Sequence, residues 1–360
     1  GLIISGHPVL IRETHMPNTP NPSMTPLAID PPKAGEMVAL ADDLYWMRFT
    51  LPFRLNHINL YMLDTDDGWV LIDCGIDNVH TKEHWDALLN GPLSQQRISQ
   101  ILVTHHHVDH IGYCGALCDI TGAEAWTSAK EGEHAHWLYA HEPADFAALM
   151  VKTYTQYDLA PEAIEEVRHR GSRYREKCGV LPSFNLVEDG YQITTKAGVW
   201  TARIDKGHSD AHISLMDKNR NLFISIDFLL PRISPNISAD IRDTDDDLLA
   251  HYFQYLTEMQ ALPEDMHIFP GHDWPFIKGN LRATALIEHH HMRLDQLEQA
   301  AKSAPLTVST AMDVLFGRMF GEHELYFASG EARAHLNNLK SSGRLIKQQD
   351  DAGIDRYYPS

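Results

Sequence analysis

The feature that most restricts the fold of this chain is a dense histidine cluster directly after a predicted strand. Residues Ile98 to Val103 have the apolar character of a buried strand, which Thr104 ends. Residues 105–110 then follow the pattern H-x-H-x-D-H. Because a strand end is a rigid platform for a loop, the nitrogen and oxygen ligands of this short segment can converge on one place. They cannot surround a single metal ion without strain, but they can serve two adjacent ions.

Further potential ligands follow other predicted strands. They are His208, Asp227 and His272. The strands before them are predicted at residues 198–204, 222–226 and 268–270. Imidazole combined with carboxylate suits a borderline ion such as Zn²⁺, Fe²⁺ or Mn²⁺, and a carboxylate at Asp227 could bridge two ions. The sequence therefore predicts a dinuclear metal centre built at strand ends.

The order of predicted elements indicates an α/β protein with a second, helical unit. Strands and helices alternate through most of the chain, and we assign a catalytic domain to residues 38–279. Residues 1–37 are rich in proline and predict an extended arm. Residues 129–178 lack a strong strand pattern and predict a helical insertion that forms a lid over the metals. Residues 280–360 predict three helices and a hairpin, a winged-helix-like domain, with Ser309 as N-cap of its second helix.

Composition and charge exclude several classes of function. The 360 residues contain 30 Lys and Arg against 49 Asp and Glu, a net charge of −19, which repels phosphate backbones and disfavours nucleic-acid binding through bulk charge. No apolar run reaches the ~18–20 residues needed to span a bilayer, and the first residues lack the pattern of a secretory signal. The four cysteines do not make a disulfide framework. We therefore expect a cytoplasmic protein with no membrane partner.

Taken together, the motifs resemble those of the metallo-β-lactamase superfamily, on the side of the glyoxalase II-like and β-lactamase-like-2 enzymes. The matching stretches are Asp73-Cys74-Gly75, the 104–110 cluster, Gly207-His208, Asp227 and Pro270-Gly271-His272. The resemblance implies an αββα sandwich with the metal site along one edge, followed by a C-terminal winged helix. The chain departs from the family pattern at Lys206, Ala211 and Ile226, where proline, glycine and glycine are usual.

The same resemblance implies a role for each candidate ligand. The first metal would be held by His105, His107 and His208. The second would be held by Asp109, His110 and His272, with Asp227 bridging both ions. Asp109 would also orient the attacking hydroxide and so act in catalysis. Two divalent cations are implied, with zinc expected and with iron or manganese compatible with the same ligands.

Other residues are assigned to the surroundings of the metals. Asp73 is expected to fix the 104–110 loop by hydrogen bonds, and His212 is expected to support the ligands or the fold around them. Arg232 lies in a segment stiffened by two prolines, directly after the bridging aspartate. We predict that its guanidinium binds a carboxylate or phosphate of the substrate.

These assignments predict a metal-dependent hydrolase that uses a metal-bridging hydroxide. A small thioester, ester or lactone is the expected substrate, as in hydroxyacylglutathione hydrolase-like enzymes. The alternative is a phosphodiesterase or endoribonuclease of the β-lactamase-like-2 type, and a third hypothesis is an interaction module beside a vestigial site. Residues 281–360 carry 9 Lys and Arg and 10 Asp and Glu, whereas a nucleic-acid-reading wing is usually basic. We therefore expect a small-molecule substrate and no nucleic-acid partner, and the family suggests a homodimer.

Overall fold

The computed structural model describes residues 24–170, 174–317 and 322–360. The arm predicted from the sequence lies outside these residues from position 1 to position 23. Its described end contains strand β1 (Thr25–Pro26), which pairs with β14 (Phe276–Ile277) at the edge of a sheet.

Two seven-stranded sheets form the centre of the described part of the chain. The first contains, in spatial order, β2 (Val38–Ala39), β3 (Leu44–Thr50), β4 (His57–Thr65), β5 (Gly68–Ile72), β6 (Ile98–Leu102), β7 (Glu124–Thr127) and β8 (Asn185–Leu186). The second contains, in spatial order, β1, β14, β13 (His267–Pro270), β12 (Leu222–Ile226), β11 (His212–Asp217), β10 (Val199–Asp205) and β9 (Gln192–Thr194). Because β5, β6 and β7 run parallel, and β12 and β13 do so too, the residues after these strands meet at common sheet edges.

Helices cover the outer faces of both sheets and continue into the C-terminal region. Before β8 they are α1 (Val79–Leu89), α2 (Val108–Ile111), α3 (Cys114–Thr121), α4 (Ala129–Ala140), α5 (Pro143–Gln156), α6 (Pro161–Arg170) and α7 (Tyr174–Lys177). After β12 they are α8 (Leu248–Met259), α9 (Gly279–Ala301), α10 (Val308–Phe316) and α11 (Glu322–Ser341). The 129–178 segment is thus helical where the structure describes it.

Buried apolar side chains explain the order of the layers. Between the sheets, Trp46 of β3 and Trp200 of β10 belong to one cluster. Met47, the next residue along β3, points to the other face and packs in a cluster with Trp85 of α1. On the outer face of the second sheet, Phe223 of β12 shares a cluster with residues of α8. The period-two alternation along the strands therefore produces the predicted αββα sandwich.

Side-chain caps fix the start of two helices in the structure. At the start of α8, the Asp247 side chain accepts a hydrogen bond from the backbone N–H of Ala250 in the first turn. The prediction of Ser309 as N-cap of α10 is wrong. The cap is Thr307, which exchanges side-chain hydrogen bonds with Thr310 in a reciprocal capping box.

The C-terminal region consists of α9, α10, α11 and a hairpin of β15 (Leu345–Gln349) with β16 (Asp355–Pro359). It extends the core on the outer face of the second sheet, since Leu286, Met312 and Leu336 from its three helices belong to the same cluster as Phe223. Three helices and a hairpin match the elements predicted here, and the winged-helix comparison stays a prediction. No helix within the described ranges combines the length and apolar character that a membrane span requires.

Candidate metal centre

Residues that follow β6, β10, β12 and β13 bring their side chains together at one edge of the sandwich. One group of ligand atoms, all within 4.8 Å of one another, belongs to His105, His107, His208 and Asp227. A second group with the same spacing belongs to Asp109, His110 and His272. The structure thus brings together the side chains that the sequence assigned to two metals, and their role as ligands stays a prediction.

The carboxylate of Asp227 lies at the centre of this arrangement. Its Oδ2 atom is 3.3 Å from Nε2 of His110 and 3.4 Å from Nε2 of His272. The same oxygen is 3.5 Å from Nε2 of His208 and 3.9 Å from Nε2 of His105. Ligand atoms bonded to one tetrahedral ion at about 2.0–2.1 Å lie about 3.4 Å from one another. The observed spacing is therefore compatible with a metal-ligand set.

Hydrogen bonds on the outer side of the rings determine which nitrogen faces inward. Nδ1 of His208 bonds the backbone carbonyl of Asn236, and Nδ1 of His272 bonds the carbonyl of His57, both at 2.8 Å. A ring that donates through Nδ1 carries its lone pair on Nε2. Both Nε2 atoms are therefore directed at Asp227 in the form that binds a metal.

Several inward-facing atoms lack a hydrogen-bond partner of acceptable geometry among the described residues. They are Nε2 of His110, Nε2 of His208 and Oδ1 of Asp227. Buried polar atoms are normally satisfied, so unsatisfied ones require an explanation. Divalent cations at this position would supply the missing interactions, and the donor set fits such ions.

Asp73, directly after β5, connects His110 with the start of the histidine cluster. Its Oδ2 accepts hydrogen bonds from Nδ1 of His110 and from the Thr104 hydroxyl, both at 2.8 Å. Its Oδ1 accepts a third from the Thr104 backbone N–H at 2.8 Å. Asp73 has a φ of +65°, which is uncommon for a residue other than glycine, and these bonds hold it there. The carboxylate therefore directs Nε2 of His110 toward the other ligands.

The backbone around Asp227 is unusual at two positions. Ile226 has a φ of +49°, a conformation that costs roughly 1–2 kcal/mol for residues other than glycine, and the pairing of β12 with β13 shifts there. The strain occurs where the family pattern has glycine. At Gly271 an added Cβ would lie 2.2 Å from Oδ1 of Asp227. Only glycine allows the two loops to approach each other this closely.

Burial and crowding favour the metal-binding forms of His105, His107 and Asp227, whereas at His110 and His272 the Asp227 carboxylate outweighs the effect of burial and raises the pKa. Burial lowers the pKa of His105 and His107 well below the ordinary value, and neighbouring imidazoles lower it further. Burial raises the pKa of Asp227, but His272 and His110 outweigh that effect and hold the pKa well below its usual range. Neutral imidazole and ionised carboxylate are the states that bind metals.

A buried carboxylate that sequence reasoning missed supports two of the ligand loops. Glu131 on α4 accepts hydrogen bonds from the backbone N–H and from Nδ1 of His106, at 3.0 and 2.6 Å. Its other oxygen accepts one from the backbone N–H of Ala211 at 2.7 Å. Glu131 thus ties the insertion to the 104–110 loop and to the loop that carries His208. No sequence signal marks it, because one glutamate on a polar helix resembles any solvated carboxylate.

A third group of potential ligands lies beside the first two and consists of His134, Asp210 and Asp240. Nη2 of Arg242 donates hydrogen bonds to Nδ1 of His134 and Oδ2 of Asp240, both at 2.7 Å, and also pairs with Asp210. The guanidinium already supplies positive charge to this group. We therefore interpret these four residues, the Arg242 cluster, as a structural link between α4 and the loop after β10.

The two remaining predicted site residues have different surroundings. The ring of His212 is 4.9 Å from that of His105, and its Nε2 accepts a hydrogen bond from the Asp227 backbone N–H at 3.4 Å. Arg232 instead donates to Oδ1 of Asp273 at 2.9 and 3.3 Å. Arg232 is not among the described residues that line the cavity above the ligands. The structure therefore brings His212 to the candidate site and leaves Arg232 outside it.

A cavity of about 500 Å³ opens above the candidate ligands. Its inner end is lined by His107, Asp109, His208 and Asp227. Apolar side chains from the insertion and from α8 and α11 line much of the rest: Leu138, Phe146, Met150, Val167, Leu248 and Phe327. The insertion thus forms one wall of the space into which the ligands face.

Comparisons with known proteins agree with this geometry. Residues 54–272 match the model of the metallo-beta-lactamase superfamily, and residues 294–360 match the model of the metallo-beta-lactamase-like C-terminal domain. The chain is 24% identical over 318 residues to the probable metallo-hydrolase YqjP of Bacillus subtilis, which covers 83% of this chain and 93% of that protein. It is also 24% identical over 294 residues to the beta-lactamase-like protein 2 homolog of Caenorhabditis elegans, covering 80% of this chain and 78% of that protein.

Solved structures show the same fold over nearly the whole chain. A beta-lactamase domain protein from Burkholderia ambifaria is similar with a TM-score of 0.86 and 29% identity, covering 94% of this chain and 99% of that one. A metallo-beta-lactamase family protein from Thermus thermophilus has the same fold with a TM-score of 0.74 and 24% identity, covering 89% of this chain and 100% of that one. With a superfamily model matching residues 54–272, the chain belongs to the metallo-beta-lactamase superfamily.

Proposed function

We propose that this metal-dependent hydrolase works with two divalent cations. The first would be held by His105, His107 and His208 and the second by Asp109, His110 and His272, with Asp227 between them. The observation that carries the proposal is the position of Asp227 Oδ2, which lies 3.3 to 3.9 Å from histidine Nε2 atoms of both groups. The donors suit Zn²⁺ and also accept Fe²⁺ or Mn²⁺.

When bound, such cations lower the pKa of a water ligand toward neutrality and polarise the substrate oxygen. The chain itself supplies orientation and shielding. Asp109 lines the cavity with a side chain that is 17% exposed, so its carboxylate can accept a hydrogen bond from the attacking water. Asp73 keeps His110 oriented through Nδ1. The apolar walls limit access of bulk water, which strengthens electrostatic interactions at the reacting atoms.

A small thioester, ester or lactone suits this cavity better than a polynucleotide does. Polynucleotide binding draws on cationic side chains that neutralise phosphates, whereas the chain has a net charge of −19. Apolar walls from the insertion instead suit the carbon chain of an acyl group. We accordingly propose a small-molecule partner, a cytoplasmic location and a homodimer, and no nucleic-acid partner.

Elemental analysis and a substrate panel test this proposal. We expect about two metal equivalents per chain in a metal-replete preparation, and fewer than one would contradict a dinuclear centre. The panel contains S-lactoylglutathione, an acyl-CoA, a lactone, bis-p-nitrophenyl phosphate and a short RNA. Hydrolysis of the acyl compounds is expected. Cleavage of the phosphodiesters alone would replace the acyl assignment with the phosphodiesterase or endoribonuclease alternative.

A further inference from the structure

We propose that the cavity above the candidate ligands receives a long apolar acyl chain, so that the substrates are thioesters or esters of medium- and long-chain carboxylic acids. This inference rests on the proposed function and narrows its substrate class. It concerns the part of the cavity beyond the ligands, whose walls are used above only to limit water and to accept an acyl group of unspecified length. Three observations carry it: the apolar lining, the pairing of the nearby carboxylates, and the cavity volume.

The first observation is that the insertion presents apolar side chains to the cavity from several helices. Leu138 of α4, Phe146 and Met150 of α5 and Val167 of α6 line it. Phe146, Met150 and Val167 are only 6 to 8% exposed, so they are shielded from bulk water while they face the cavity. An apolar group placed against them would be removed from water, which is favourable in proportion to the area buried.

Another part of the lining comes from elements that are distant in sequence. Leu248 of α8 and Phe327 of α11 line the same cavity. The apolar space therefore depends on tertiary packing that brings the insertion, α8 and α11 together. A chain that enters along it would place its carbonyl end beside Asp109 and Asp227, which line the inner end.

The second observation concerns the carboxylates in the lining. Asp210 and Asp240 line the cavity, but both pair with Arg242. The Arg242 guanidinium therefore offsets one of the two negative charges that these carboxylates present beside the apolar lining. Arg54 and Lys177 also line the cavity, and their positive charges are compatible with an anionic carrier such as CoA.

The third observation is size. A cavity of about 500 Å³ lies within the ~300–1,000 Å³ range of pockets that enclose drug-sized ligands. A two-carbon acyl group would contact few of its walls, whereas a chain of eight to twelve carbons would contact side chains of both the insertion and the C-terminal helices. Each buried methylene strengthens binding by at most about fourfold.

The test compares acyl-CoA thioesters of two, four, eight and twelve carbons with zinc-loaded protein. We expect kcat/KM to rise by at least about 50-fold from the two-carbon to the eight-carbon thioester. This estimate assumes that each added methylene raises kcat/KM about twofold. Equal values at all lengths would overturn this inference and leave the acyl hydrolase proposal intact. Cleavage of phosphodiesters with no thioester hydrolysed at any length would overturn both, so the two failures are distinguishable.

A binding measurement gives a readout that does not depend on turnover. Calorimetry with the same zinc-loaded protein compares decanoate with butyrate, which differ only in chain length. We expect decanoate to bind at least about tenfold more tightly. Equal affinities would show that the cavity does not receive the chain.

Variants of α5 test whether the apolar side chains of this helix cause the preference for long acyl chains. Met150→Gln places an amide in the apolar lining and should lower the ratio of eight-carbon to two-carbon kcat/KM about tenfold, because the amide loses water without a partner when the chain enters. Leu149→Gln is the matched control, since Leu149 is half-buried on the same helix and does not line the cavity. It should leave the ratio unchanged.

A second variant keeps the test decisive if Met150→Gln fails to fold. Leu138 is half-buried at the cavity wall, so Leu138→Trp can fill part of the space without a deeply buried substitution. We expect it to lower kcat/KM for the twelve-carbon thioester relative to the two-carbon one at least about fivefold. The same ratio in the wild type and in every folded variant would overturn the inference.

Discussion

The two ends of the cavity are built in different ways. The inner end consists of residues that follow strands, with His208 and His272 each held by a neighbouring backbone carbonyl. The outer end consists mainly of apolar side chains on helices of the insertion and the C-terminal region, such as Phe146 and Phe327. The difference suggests that the helices can vary with the substrate while the sheet edges keep the chemistry fixed.

The two ends also differ in the interactions that hold them. At the inner end, buried polar atoms are fixed by hydrogen bonds such as those of Asp73 and Glu131, and a lost partner leaves a buried group unsatisfied. At the outer end, packing of apolar surface dominates, and volume-conserving substitutions are tolerated best. Substitutions at the inner end should therefore change metal content and rate, and those at the outer end should change substrate preference.

The largest effect is expected for Asp227→Asn. The change keeps the shape of the side chain and removes the charge that faces the histidines of both groups. We expect loss of at least one metal equivalent and a decrease in kcat of at least about 10³, which corresponds to about 4 kcal/mol of transition-state stabilisation. Elemental analysis and steady-state kinetics measure both. A variant that retains two metals and full activity would show that neither metal binding nor catalysis needs the Asp227 carboxylate.

Asp73→Asn should have the next largest effect. The amide cannot accept all three of the hydrogen bonds that the carboxylate accepts from Thr104 and His110, so His110 loses its orientation. Outer partners of metal ligands typically contribute 10- to 100-fold in metal affinity, and we expect a loss in that range in competition with a chelator. Asp67→Asn, in the exposed turn between β4 and β5, is the control. Equal affinity in both variants would mean that His110 needs no support from Asp73.

The inner end could be predicted from the sequence because its information is local. The spacing of residues 105–110 and the position of each later ligand at a strand end are visible without a structure. For the outer end, the sequence predicts a helical insertion over the metals but not the C-terminal residues beside it, because Phe146 and Phe327 are 181 positions apart and line one cavity only through tertiary packing. The role of Glu131 could not be predicted for the same reason, because its partners His106 and Ala211 come from loops of different sheets.

A pH effect on stability is also expected in the C-terminal region, away from the inner end. His335 of α11 is fully buried, with Nε2 3.1 Å from Nδ1 of His290 on α9. Burial lowers the pKa of His335 to about 3, whereas the unfolded chain takes up this proton near pH 6.5. The folded state is therefore destabilised as the pH falls below 6.5, by about 2 kcal/mol at pH 5 from this histidine alone.

Chemical denaturation of His335→Gln measures that contribution. Glutamine does not titrate, so the variant should lose about 2 kcal/mol less than the wild type between pH 7 and pH 5. His80→Gln, at an exposed position of α1, should keep the wild-type pH dependence. Identical pH profiles for the wild type and His335→Gln would exclude this histidine as the cause.

The smallest effect is expected for Arg232→Ala. The Arg232 side chain is 47% exposed, and its ion pair with Asp273 occupies the guanidinium outside the cavity lining. Because the guanidinium lies outside the cavity lining, we expect KM to change by less than about threefold and kcat to stay constant, while stability falls because the buried carboxylate of Asp273, 3% exposed, loses its cation. Steady-state kinetics with the preferred acyl substrate measure both constants. A tenfold higher KM at constant kcat would show that Arg232 binds the substrate, as its position after Asp227 predicts. The substrate site would then include a residue that does not line the cavity in this structure.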